Sequence, residues 1–204
     1  MKIYTRNGDK GETGLLGAVR VSKSHLVVET CGTIDEVNSY LGCVVSHLEL
    51  ADDNELADVK ELDSLNCRSV LIRIQSELFD MGSRVAAALS DQPKTNPAAV
   101  DRASIERIES WIDGFDAKLP PLTRFILPGG SMAGSQLHLA RTVCRRAERR
   151  LVSLVESGIQ RDLSADLIYL NRLSDLLFVL ARFANQEADR EETPWTAFTE
   201  PGPG

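Results

Sequence analysis

This sequence is poor in aromatic residues, in histidine and in paired cysteines, and each shortage removes a class of function. Aromatics make up 5% of the 204 residues, too few for the stacking platforms of a single-strand binder. Lysine and arginine total 23 against 30 aspartates and glutamates, a net charge of −7, the reverse of a nucleic-acid footprint. The cysteines Cys31, Cys43, Cys67 and Cys144 form no C-x-x-C pair, and no His/Cys cluster has zinc spacing. They read as reduced, mostly buried thiols. Only His25, His47 and His138 are present, and no Glu-x-x-His pair occurs, so a ferritin-like di-iron bundle is not expected. A G-x-S-x-G nucleophile elbow and a Walker A loop are both missing. No apolar run approaches the roughly 18 residues of a membrane span, and no signal-peptide pattern opens the chain. A cytoplasmic protein without membrane or nucleic-acid partners is expected.

What the sequence does have is helical periodicity, and strand alternation nearly vanishes after residue 30. Helices are expected over roughly 26–48, 64–88, 101–117, 131–157 and 163–187. Thr33 and Glu36 stand at capping-box spacing, at the start of the first helix or inside it. The acidic stretch 49–63 reads as a loop, because Asp52-Asp53-Asn54 favours turns, and Pro93 to Pro97 breaks the chain again. Ser131 follows Gly129-Gly130 as an N-cap. The fold class is therefore all-α: a five-helix antiparallel bundle with an N-terminal glycine-rich loop laid across it. One domain is expected over 1–190 and a loose tail over 191–204. The last helix is apolar nearly all round, through Leu167, Leu170, Leu173, Leu176, Leu177, Val179 and Leu180, and should be buried. Its polar stripe, Asn171, Asp175 and Arg182, then needs partners.

Two segments carry candidate chemistry. Five of the ten residues from Arg141 to Arg150 are arginine, a local anion attractor in an acidic chain. At about 100° per residue, His138, Arg141, Arg145, Glu148 and Arg149 share one face. Arg146 and Arg150 fall opposite, with Arg150 toward solvent, while Leu137, Ala140, Cys144, Ala147 and Leu151 line the adjoining apolar sector. Three guanidinium forks on one ridge suit a polyphosphate; a solvated basic face with i,i+4 pairing is the plainer alternative. The second segment, Tyr4 to Gly14, holds Gly8, Gly11 and Gly14, with Gly17 beyond. Its glycines let backbone N–H groups approach phosphate closely. Lys10 and Lys23 add charge, and Thr5 and Thr13 add hydroxyls.

Four motifs also resemble one known family. Tyr4-Thr5-Arg6-Asn7-Gly8-Asp9-Lys10-Gly11-Glu12-Thr13 and Gly32-Thr33-Ile34-Asp35-Glu36-Val37-Asn38-Ser39 are two of them. Phe125 to Ser131, continued by His138, Arg141 and Cys144 to Arg149, is the third. Tyr169-Leu170-Asn171-Arg172-Leu173-Ser174-Asp175 is the fourth. In this order, over roughly residues 2–185, they resemble the propanediol-utilisation type of ATP:cob(I)alamin adenosyltransferase. The resemblance implies a homotrimeric helix bundle with its active sites between subunits. It implies transfer of the 5′-deoxyadenosyl group of ATP to the cobalt of cob(I)alamin, with Mg²⁺ and release of triphosphate. Its ATP contacts carry over onto Thr5, Arg6, Asn7, Gly8, Lys10, Thr13, Gly14, Lys23, Arg145, Arg146, Ala147, Glu148, Arg149 and Asn171. Asp35 and Arg141 match a pair that bridges subunits, and Phe125 matches the aromatic beneath the corrin. No protein ligand for a metal is implied. Gly14 stands where many relatives carry a polar or basic side chain, so its contact would be through the backbone. Trp195 and Phe198 are candidates to cap the corrinoid pocket. A corrinoid reductase and an adenosylcobalamin-dependent enzyme are further expected partners. The alternative function is a non-catalytic carrier that delivers adenosylcobalamin to such an enzyme.

Overall fold

Each stretch of 3.6-residue periodicity becomes a helix, because only that geometry buries its apolar stripe. The computed structural model describes residues 3–16, 19–48, 66–90 and 99–197. Its helices are α1 (Leu26–His47), α2 (Cys67–Ala86), α3 (Arg102–Asp116), α4 (Met132–Glu156) and α5 (Ser164–Glu187). The acidic stretch 49–63, the proline-rich break, Gly17 and Phe198 lie outside the described residues.

α4 is central, packed between α1 and α5, while α2 covers α1 and α3 covers α5. Only a short connection separates α4 from α5, which forces the two to run antiparallel. The core forms where these helices meet. Leu137, Ala140, Cys144, Ala147 and Leu151 of α4 are all fully buried, as are Leu170, Leu173, Leu176, Leu177 and Leu180 of α5. None of the helices among the described residues is long and apolar enough to cross a membrane.

The caps differ in part from the sequence pattern. Ser131 caps α4 as expected, accepting from Gly134 N at 3.0 Å. At α1, however, Thr33 lies inside the helix and donates to the Glu29 carbonyl at 2.8 Å. The cap there is His25, whose Nδ1 accepts from Val27 N at 3.2 Å. Asn66 caps α2, accepting from Arg68 N and Ser69 N.

Two further expectations need correcting. The N-terminal segment is more than a loop, since β1 (Glu12–Gly14) and β2 (Arg20–Ser22) pair antiparallel with Thr13 opposite Val21. Three-residue strands are too short to show an alternation that periodicity can detect. The chain after 191 is also tied down as far as Trp195. Leu127 N donates to Thr193 O and Trp195 N to Phe125 O, both at 2.8 Å, so residues 193–195 run as an antiparallel strap along 125–127. Backbone pairing of this kind leaves little trace in side-chain identity.

Candidate functional site

The N-terminal segment is a folded unit before any ligand arrives. Gly11 N donates to Gly8 O at 3.1 Å and Lys23 N to Gly11 O at 2.8 Å. Gly11 has φ 81°, a left-handed conformation that glycine adopts without cost. Arg6 has φ 61°, which is uncommon for a residue with a side chain and concentrates at functional sites. Its guanidinium lies 5.7 Å from the Tyr4 ring centroid. Lys23 lies across Gly8, its Nζ 3.2 Å from where a Cβ on that glycine would stand. Arg20 donates to Asn7 O at 2.9 Å and bridges Glu12 at 3.5 Å. Thr5, Arg6, Asn7, Lys10, Gly14 and Lys23 are exposed, and Gly8 and Thr13 are half-buried.

On α4, Arg145 and Arg149 are exposed and Arg141 and Glu148 half-buried, the shared face read from the helical wheel. Arg149 donates to the Arg145 carbonyl at 3.0 Å. The Nε of Arg141 is buried without a hydrogen-bond partner among the described residues. Burial, and then the charge of Arg145, lower its pKa. A guanidinium held this way is short of an acceptor. Glu148 is oriented through a chain of contacts. It accepts from Asn171 Nδ2 at 3.1 Å, Asn171 Oδ1 accepts from Arg172 at 2.9 Å, and Arg172 donates to Glu109 at 2.8 Å.

The other α4 arginines behave differently. Arg146 is paired with Glu36 and Arg150 with Glu29, the latter at 3.3 Å, so both line the seam with α1. Arg150 is exposed, as expected, and is also paired with Glu29. The wheel fixed its side of α4 but could not show that α1 lies along that side. Of the polar stripe on α5, Asn171 and Arg182 find partners within the chain. Arg182 is 3% exposed and donates to Glu192 and to Pro120 O, both at 2.8 Å. Asp175 is exposed.

Phe125 stands at the edge of this region, 78% exposed. Trp195 meets it edge-on at 6.4 Å. His138 is buried against Phe178, with neither ring nitrogen hydrogen-bonded among the described residues. A cavity of about 440 Å³ lies between the hairpin and the α1–α2 surface, lined by Gly14, Leu15, Asp35, Asn38, Phe79 and Gly82 among others. Asp35 is exposed at its rim. The hairpin thus sits over α1 and α2, while Arg141, Arg145 and Arg149 face outward from α4. No hydrogen bond or ion pair joins the two halves among the described residues.

The sequence reading missed Asn185, which is 2% exposed. It accepts from Ser131 N at 2.8 Å and from Ser131 Oγ at 3.0 Å, and donates to Gly129 O at 2.9 Å. Asn185 stands beside Gln186 and Glu187 in a polar last turn, so nothing in the sequence set it apart. Glu36, Glu29 and Arg172 were likewise missed as partners, because their roles depend on neighbouring helices.

A family model described as Cobalamin adenosyltransferase matches residues 3–184. The chain is 42% identical over 185 residues to a corrinoid adenosyltransferase of Bacillus subtilis, covering 91% of this chain and 87% of the relative. It is 38% identical over 188 residues to a corrinoid adenosyltransferase of Mycobacterium tuberculosis, covering 92% and 91% respectively. Among solved structures, it resembles a variant PduO-type ATP:corrinoid adenosyltransferase from Lactobacillus reuteri complexed with cobalamin and ATP. There the TM-score is 0.81 at 33% identity, over 96% of this chain and 100% of the other. Another variant of that enzyme, complexed with ATP, gives a TM-score of 0.80 at 33% identity, with the same coverage.

Proposed function

This chain belongs to the cobalamin adenosyltransferase family, and from that premise we propose how its residues perform adenosyl transfer. The reaction moves the 5′-deoxyadenosyl group of ATP to the cobalt of cob(I)alamin. Reduced cobalt is itself the nucleophile, so the protein supplies orientation and electrostatics in place of a general base. Cobalt attacks C5′, the C5′–O bond breaks, and triphosphate leaves with the electron pair. Negative charge grows on the departing oxygen. Lys10, Lys23, Arg145 and Arg149 stabilise it as fixed positive groups. Thr5, Arg6, Asn7, Gly8, Thr13 and Gly14 cradle the nucleotide. Glu148 and Asn171, already aligned by Arg172, orient it. Holding C5′ in line with cobalt supplies much of the remaining acceleration.

Phe125 excludes water and the lower nucleotide base from cobalt, with Trp195 beside it. A cobalt without its lower ligand is easier to reduce. Among the described residues no cluster of three or more His, Cys, Asp or Glu could hold a metal ion. An accompanying Mg²⁺ would add positive charge beside the departing triphosphate.

The site is built between copies of the chain, in a homotrimer. The observation that supports this best is the separation of the two half-sites, together with two charged residues, Arg141 and Asp35, for which no ion pair is found among the described residues. Arg141 has a buried Nε without an acceptor, and Asp35 stands exposed at the rim of the α1–α2 cavity. An ion pair between neighbouring subunits satisfies both and brings one subunit's loop to another's arginine ridge. Arg146, held by Glu36, would reach ATP from a different direction than Arg145. The cytoplasm is the compartment proposed for it, with a corrinoid reductase to supply reduced cobalt and an adenosylcobalamin-dependent enzyme as the consumer.

The test is anaerobic. Protein, Mg-ATP and chemically reduced cobalamin are mixed and the visible spectrum followed. Loss of the cob(I)alamin band with growth of light-sensitive adenosylcobalamin is expected. ATP binding without conversion would overturn the transferase in favour of a carrier.

A further inference from the structure

An exposed aromatic ring cannot hold its own place, because no core surrounds it. Phe125 must therefore be positioned through its backbone, and the structure contains two anchors for that backbone. One is the strap 193–195, hydrogen-bonded to Phe125 and Leu127 and secured one step earlier by the buried Arg182, which holds Glu192 and Pro120 O. The other is Asn185, three residues further along α5, where the Pro128–Ser131 turn hands the chain to α4.

Asn185 fits that turn closely. Its amide accepts from the backbone and hydroxyl of Ser131 and donates to Gly129 O, leaving the turn no freedom to slide. Two glycines make room for it. A Cβ on Gly130 or on Gly134 would overlap the Asn185 side chain. Gly130 also has φ 108°, a region closed to residues with side chains. Gly134 lies inside α4, where glycine weakens a helix, so its presence is explained by the amide that fills the space.

We infer that Asn185 is a positioning residue for adenosyl transfer, setting Phe125 against the corrin by locking the Pro128–Ser131 turn. This rests on the reading of Phe125 as the wall beneath cobalt. Asn185 hydrogen-bonds the turn at Gly129 and Ser131 and acts through it.

The experiment compares Asn185→Ala, Phe125→Ala, the double variant and Gly134→Ala with the unaltered protein, each with cob(II)alamin and excess ATP. The visible spectrum reports the fraction of bound cobalt that has lost its lower ligand. Asn185→Ala is expected to lower that fraction, and to slow turnover about 10–100-fold, the scale of small misplacements in active sites, while ATP affinity stays unchanged. Gly134→Ala, which displaces the same amide, should do likewise. It keeps the test open if Asn185→Ala folds poorly. The double variant should be no worse than Phe125→Ala, because linked effects are not additive. A wild-type spectrum in both Asn185→Ala and Gly134→Ala, a further loss in the double variant, or a parallel loss of ATP affinity would each overturn the inference. A wild-type spectrum in Phe125→Ala would instead overturn the reading of Phe125 itself, and the inference with it.

Discussion

Individual residues on α4 differ sharply in what surrounds them. Arg145 is exposed, and a growing triphosphate charge is the partner proposed for it. Arg145→Ala should cut turnover by about 10²–10³-fold, the usual cost of removing one group aimed at transition-state charge, while leaving the assembly intact. Steady-state kinetics and light scattering check the two halves of that statement. His138, two turns earlier, behaves differently because it is buried. Burial, reinforced by Arg141 and opposed by Glu192, holds its pKa below the ordinary imidazole value. The folded chain therefore keeps it neutral, while the unfolded chain protonates it as pH falls through about 6.5. In that window the unfolded state binds more protons, so stability is full above about pH 6.5 and declines below it. Denaturation at pH 7.5 and 5.5 should show a smaller acid loss in His138→Leu than in the unaltered protein; equal losses would assign the effect elsewhere. The Cys31 and Cys67 thiols are held protonated for a related reason, burial pushing Cys31 up to about 11 and Cys67 to about 12.

At the scale of elements, charged side chains connect α2 and α3 to each other and to α5. Glu77 of α2 accepts from Tyr169 OH at 2.6 Å and pairs with Arg107 of α3 and Arg73. Arg84 of α2 meets Asp166, in the first turn of α5, at 2.8 Å. Burial pushes Asp166 up and Arg84 pulls it back down. Such a pair adds little over an apolar contact, but breaking it strands a buried charge. Asp166→Ala should therefore cost about 3–5 kcal/mol, read from urea unfolding, and loosen the α2–α5 junction before the α4–α5 core. A cost near zero would mean that Arg84 finds another partner or water. The short connection between α4 and α5 sets Asn171 opposite Glu148, so this part of the site is assembled by helix packing.

At the scale of the whole molecule, one chain holds both halves of the proposed nucleotide site, and no hydrogen bond or ion pair joins them among the described residues. The hairpin covers α1 and α2, and the arginine ridge looks away from it. If Asp35 and Arg141 pair across copies, Asp35→Arg should shift the trimer toward smaller species by repulsion. Adding Arg141→Asp should restore assembly by reversing the pair. Light scattering coupled to size exclusion reads both. Assembly of Asp35→Arg indistinguishable from the unaltered protein would remove this pair from the interface.

The sequence by itself determined the helices, the α4 cap and the shared face of Arg141, Arg145 and Arg149. Periodicity and capping are local properties that each segment carries in its own residues. It also identified the family, through motifs whose side chains are proposed to do the chemistry. Tertiary structure alone decided what those side chains meet. Arg146 and Arg150 became seam residues because α1 supplied Glu36 and Glu29. Residues 193–195 became a strap because their backbone found a partner in 125–127, and hydrogen bonds between backbones are nearly blind to sequence. Asn185 gained its role because packing brought Gly130 and Gly134 to a vacancy of its shape. Such contacts join residues more than 50 positions apart, and nothing local in the chain encodes them.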